Sequence, residues 1–120
     1  MSQESTPSVR KSSDLEWESA GDGGQIARLF TKGEHGADFV FGYTRLLSGG
    51  SLSFDLASPS PPRQEAYLME EGEITLSWED GGTTLAAGSA AFFPEGRVYE
   101  VRNDGDREAI WLYVAIPAPR

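Results

Sequence analysis

From Gln25 to Ile116, short segments of alternating apolar and polar residues are cut at regular intervals by glycine, proline or Asp-Gly. No stretch carries the helical period of about 3.6 residues, and this one feature decides the fold class. "QIARLFT" sets Ile26, Arg28 and Phe30 against Ala27 and Leu29, and "DFVFGYTRLL" puts Phe39, Phe41, Tyr43 and Arg45 on one face. Gly49-Gly50 reads as a turn into "SLSFDL", where Leu52, Phe54 and Leu56 oppose Ser51, Ser53 and Asp55. After the stiff loop "SPSPP" come "EAYLME", "EITLSWE", "TTLA", "AAFF", "VYEVR" and "EAIWLYVAI". About nine short strands without a helix predict an all-β sandwich or barrel.

The chain has 120 residues, enough for one packed domain and too few for two. Residues 1–13 are polar and Ser-rich and read as a flexible tail, leaving 14–120 for the barrel. Leu15 and Trp17 are candidate anchors of a docked arm, and "GDGG" reads as a loop. A formal charge of -9 repels phosphate backbones and anionic bilayers, so neither nucleic acid nor a membrane is an expected partner. There is no cysteine, which removes disulfides, thiolate metal sites and thiol nucleophiles. No apolar run approaches the roughly 20 residues of a membrane span, and a soluble cytoplasmic location is the default expectation.

Glu65, followed by "AYLMEEG" and Gly72, supplies a glutamate, an aromatic-aliphatic strand and a turn glycine in fixed register. "GSAAFFPEGRVYEVRN" adds Gly88, Pro94, Gly96 and Asn103. In these two stretches the chain resembles the cupin superfamily, and the resemblance implies a jelly-roll barrel, the double-stranded β-helix, over roughly residues 47–117. Its frame is similar to that of ethanolamine-utilization cupins, which also lack a clear metal shell. Some ectoine-synthase-like cupins share the "Glu-Ala" start of the strand. Counted back from Glu65, the family's first two histidine positions hold Pro59 and Pro61; counted forward from Gly49 or Gly50 they hold Asp55 and Ala57 or Leu56 and Ser58. Tyr99 stands at the third, so no cofactor and no tightly held metal are expected.

If the register implied by the resemblance holds, Glu65 points into the barrel with Tyr67 and Met69, and Tyr99 points inward with Val101. Glu65 and Tyr99 are the expected catalytic pair, the first moving a proton and the second polarising an oxygen. Tyr43, Arg45, Phe54, Tyr67, Met69, Arg97 and Trp111 are the expected substrate-binding residues, with Arg45 a candidate clamp for a carboxylate. Arg63 and Arg97 flank the two motifs at the expected barrel mouth. His35, in "TKGEHGAD", reads as an exposed loop histidine. The last strand is apolar on both faces, which leaves its inward face undecided and is consistent with a homodimer. The functional expectation is a small organic molecule inside the barrel, handled by metal-independent acid-base chemistry of an isomerase, lyase or cyclase type. A non-catalytic ligand-binding domain is the alternative, and a divalent-metal enzyme using Glu65, Tyr99 or Asp55 is the third reading.

Overall fold

A computed structural model of the chain describes residues 6–117. They form β1 (Glu18–Ala20), β2 (Asp22–Phe30), a single helical turn α1 (Lys32–His35), β3 (Val40–Asp55), β4 (Gln64–Glu71), β5 (Glu73–Trp78), β6 (Gly81–Ala86), β7 (Ala90–Phe93), β8 (Val98–Arg102) and β9 (Ala109–Ile116). All described pairings are antiparallel, in the order β6-β5-β8-β3-β9-β4-β7, with β2 added along β3 and β1 along β2. The expected all-β jelly-roll barrel is what the chain forms. Of the expected tail and barrel, residues 1–5 and 118–120 lie outside the described residues. From Arg10 onward the chain is laid against β2: Arg10 donates to the Leu29 carbonyl at 3.3 Å. Trp17 stacks beneath the Arg45 guanidinium, 4.3 Å from ring centre to Cζ, so the docked arm is present with Trp17 as an anchor.

Three local expectations change. Gly49-Gly50 does not separate two strands; β3 runs through it for 16 residues. The first half of β3 pairs with β2 and β9, and the second half pairs with β8. Gly49 takes φ 80, which side chains resist, so the strand bends there instead of turning back. Asn103, 1% exposed, holds that bend. Its backbone exchanges bonds with Gly49 and Gly50, and its side-chain amide donates to the carbonyls of Leu46 (2.9 Å) and Arg107 (2.7 Å). The second change is in "GDGG", of which only Gly21 lies between strands, because β2 already begins at Asp22. Lastly, His35 is half-buried rather than exposed: its Nδ1 accepts the Thr31 N–H at 3.2 Å and its ring meets Phe30 edge-on.

Cross-strand partners share a face, so the register fixes what points inward. Glu65, Tyr67 and Met69 on β4 oppose Ala115, Tyr113 and Trp111 on β9, which in turn oppose Val40, Gly42 and Thr44 on β3. The inward face of the last strand is therefore the one carrying Trp111 and Tyr113. The core joins Trp111, Met69, Ile74, Leu76, Val101, Leu46 and Leu56 in one cluster. On the outer surface two apolar rows cross four strands: Phe41–Val114–Ala66–Phe92 and Tyr43–Leu112–Leu68–Ala90. Phe92 and Leu68 are exposed, at 62% and 45%.

Candidate functional site

The inward row of β4 reads Glu65, Tyr67, Met69 from the barrel mouth to its centre, as a period of two demands. The centre itself is filled by rings. Phe54, Tyr67, Phe93 and Tyr99 pack at centroid distances of 4.6 to 5.8 Å, and Trp111 lies 5.3 Å from Tyr67. These rings leave two cavities, one on each side of Phe54 and Tyr67–Phe93.

The first cavity, about 290 Å³, is walled by Ile26 of β2, Thr44, Leu52 and Phe54 of β3, Glu65 and Tyr67 of β4, Tyr113 of β9 and the β1–β2 turn. Glu65 is its one carboxylate. Burial among these apolar and aromatic groups raises the Glu65 carboxyl from 4.5 to about 7, and the nearby Arg63 charge opposes the rise without cancelling it. Burial also pushes the Tyr67 phenol well above its ordinary value and raises that of Tyr113. Both phenols therefore keep their protons near neutrality and remain donors. Arg28, whose charge reaches Tyr113, is ion-paired with Glu18.

The second cavity, about 580 Å³, opens between the edge strands β6 and β7 and is lined by Leu76, Trp78, Leu85, Phe92, Phe93, Pro94, Arg97 and Tyr99. Arg97 is held by Asp80 at 2.6 Å. The Tyr99 hydroxyl donates to the Pro94 carbonyl at 3.3 Å.

The expected catalytic pair is thus divided. Glu65 lines the first cavity and Tyr99 the second, with Phe54 and Phe93 packed against Tyr99 at 5.2 and 5.1 Å. The structure brings Phe54 and Tyr67 together with Glu65, and Arg97 together with Tyr99. Met69 and Trp111 are buried in the core and line neither cavity. The Trp111 indole Nε1 lies toward the Tyr67 phenol without reaching hydrogen-bond geometry. Tyr43 and Arg45 do not face the barrel at all. They oppose Leu112 and Ile110 on the outer surface, and Arg45 bonds Gln25 at 2.6 Å, so the carboxylate clamp expected there is corrected. Alternation had grouped them correctly but could not say which face was inside. Thr44, Ile26, Leu52 and Tyr113 are cavity residues that sequence reasoning missed. For Tyr113 the signal was its even spacing from Trp111, hidden because both faces of β9 are apolar.

The donor set does not fit the metal that such barrels imply. No histidine stands at the family's ligand positions by any count, and Tyr99, at the last of them, is spent on a carbonyl and walled from Glu65 by rings. Among the described residues no group of three or more histidines, cysteines or carboxylates converges.

An antiparallel jelly-roll barrel of this strand order, packed around one inner core, defines the class of jelly-roll barrels. The chain belongs to the cupin family: the model for the cupin domain matches residues 54–115. No curated protein matches it in sequence. Among solved structures it is similar to a predicted oxalate decarboxylase from Thermotoga maritima, at TM-score 0.75 and 23% identity over 92% of this chain and 99% of that one. A protein assigned to ethanolamine utilization in Salmonella typhimurium gives TM-score 0.66 and 23% identity over 80% and 71% of the two chains. A sugar phosphate isomerase of the cupin superfamily from Silicibacter pomeroyi gives 0.72 and 21% over 94% and 77%. Likeness at these identities speaks for the fold.

Proposed function

We propose that this cupin is a metal-independent acid-base enzyme acting on a small organic molecule in the Glu65 cavity. The observation that carries this reading is the Glu65 carboxyl raised to about 7 inside an apolar, aromatic cavity. Near neutral pH such a group is present both as base and as acid, the condition under which proton transfer in either direction is fastest. Glu65 takes a proton from carbon in its ionised form and returns it at another atom once protonated. An isomerisation follows when the proton returns to a different carbon, and an elimination follows when a leaving group departs instead. The donors available for an oxygen on which charge develops are the phenols of Tyr67 and Tyr113 and the hydroxyl of Thr44, which line the same cavity. They replace Tyr99 in that role. The similarity to a sugar phosphate isomerase supports an isomerase reading at the level of fold analogy.

Deuterium wash-in at C3 of phenylpyruvate, followed by proton NMR in D2O, tests the chemistry with a general carbon acid. The wild type exchanges the position, Glu65→Gln loses about 100-fold in rate, and chelator changes neither. Equal rates in the two proteins, or no exchange above solvent background, refute the proposal.

A further inference from the structure

Among the described residues, Arg10, Arg28, Arg45, Arg97 and Arg102 each have a side-chain hydrogen-bond partner. Arg63 has none, although its Nε is buried, and no carboxylate lies within ion-pair distance of it. Arg107, also without a partner, is exposed, so water serves it. A buried guanidinium N–H without an acceptor is costly, and its natural complement is a carboxylate that accepts two parallel bonds. Arg63 stands just before β4, two residues ahead of Glu65, and its charge reaches the Glu65 carboxyl that lines the cavity. Arg28, whose charge reaches Tyr113 of the same cavity, is already satisfied by Glu18.

We propose that the cavity takes small molecules bearing a carboxylate, seated on the Arg63 guanidinium, with the carbon skeleton against Phe54, Tyr67 and Ile26. This rests on the Glu65 cavity being the working site, and it names the substrate class. The ligand's anion fills the Arg63 acceptor vacancy while protonated Glu65 stands next to it without repulsion. Ionised Glu65 repels the same anion, so affinity falls as pH rises through about 7. The charged and titratable groups around Glu65 are Arg63 just before its strand, Tyr67 on that strand, Tyr113 on β9 and the Arg28–Glu18 pair across β2 and β1. The phenols stay neutral over that range, which leaves Glu65 as the group that switches.

Isothermal titration calorimetry with phenylacetate and phenylacetamide separates charge from shape. The acid is expected to bind at least about tenfold more tightly than the amide near pH 6. Arg63→Met abolishes that preference, while Arg107→Met, a change at an exposed arginine, keeps it. The preference declines toward about pH 8 in the wild type and stays flat in Glu65→Gln. Equal affinity for acid and amide, undetectable phenylacetate binding, or a preference that survives Arg63→Met overturns the proposal. Neither probe carries a keto group to exchange, so this readout stands or falls separately from the deuterium experiment. A thermal melt of Arg63→Met that matches the wild type in the absence of ligand establishes that lost preference is lost recognition.

Discussion

The Glu65 carboxyl makes the stability of the folded barrel depend on pH in a way that one substitution removes. Its value rises from 4.5 to about 7 on folding because burial disfavours the ionised form. Below the unfolded value both states hold the proton, and burial of the neutral acid carries no electrostatic cost. Above the folded value both states are ionised, and the folded state alone bears the desolvation. At about 1.4 kcal/mol per pKa unit, the barrel loses about 3 kcal/mol of stability as pH rises across that window. Solvent reaching the carboxyl through the cavity mouth reduces this toward about 2 kcal/mol. Glutamine has nearly the same shape and no charge to desolvate. Urea unfolding of wild type and Glu65→Gln at several pH values therefore shows two similar stabilities near pH 4.5 and a gap of 2 to 3 kcal/mol in favour of glutamine above about pH 8. Every other titrating group is common to both proteins and cancels in the gap. A gap that stays constant across the range refutes the reasoning, because the Glu65 carboxyl would then be solvated as well in the folded state as in the unfolded one.

Tyr113→Phe lowers the Glu65-dependent exchange rate by about tenfold or more, and Tyr99→Phe leaves it unchanged. The reverse order in a rate assay would return Tyr99 to the site. Asn103→Ala removes the side-chain bonds to Leu46, Arg107 and Gly105 that hold the β3 bend, and it destabilises by about 3 kcal/mol in urea melts. A loss below about 1 kcal/mol would show that water replaces them. The two apolar rows across β3, β9, β4 and β7 are uncharged on a chain of net charge -9, and they are the surface we assign to the expected homodimer. Sedimentation velocity then gives a dimer for the wild type and a monomer for Leu68→Glu; a monomeric wild type refutes the assignment.

Much of the fold was legible because alternation is a local property. The strands β4 to β9 follow from single-residue spacing, and Gly72 (φ 74) sits where only a turn glycine fits. What was not legible depends on facing and on partners far away in sequence. Gly49-Gly50 has the composition of a turn, yet Asn103, more than fifty residues on, holds it as a bend within one strand. Tyr43 and Arg45 share a face with each other, but only pairing with β9 tells that this face is the outer one. The inward facing of Glu65 was legible from its strand and motif alone. Its intended partner failed because the rings of Phe54 and Phe93 stand between two positions that the motif makes neighbours. Tyr113, on a strand apolar on both sides, is the tyrosine of β9 that lines the Glu65 cavity.

The ring cluster at the barrel centre also occupies the space that a metal at that centre would need. A metal with its imidazoles and water needs space, and Phe54, Tyr67, Phe93 and Tyr99 now fill that space with mutually packed aromatic surface. Tyr99→His would return one imidazole without returning room for an ion. Emptying the room by removing a ring would first cost several kcal/mol of packing, and the missing ligands would still have to come from a loop that carries Pro59 and Pro61. Each step back lowers stability before any of them restores function. The aromatic centre thus acts as a ratchet on substitution: changes in the lining of the carboxylate cavity leave it packed, whereas any that made room for an ion would first loosen the core.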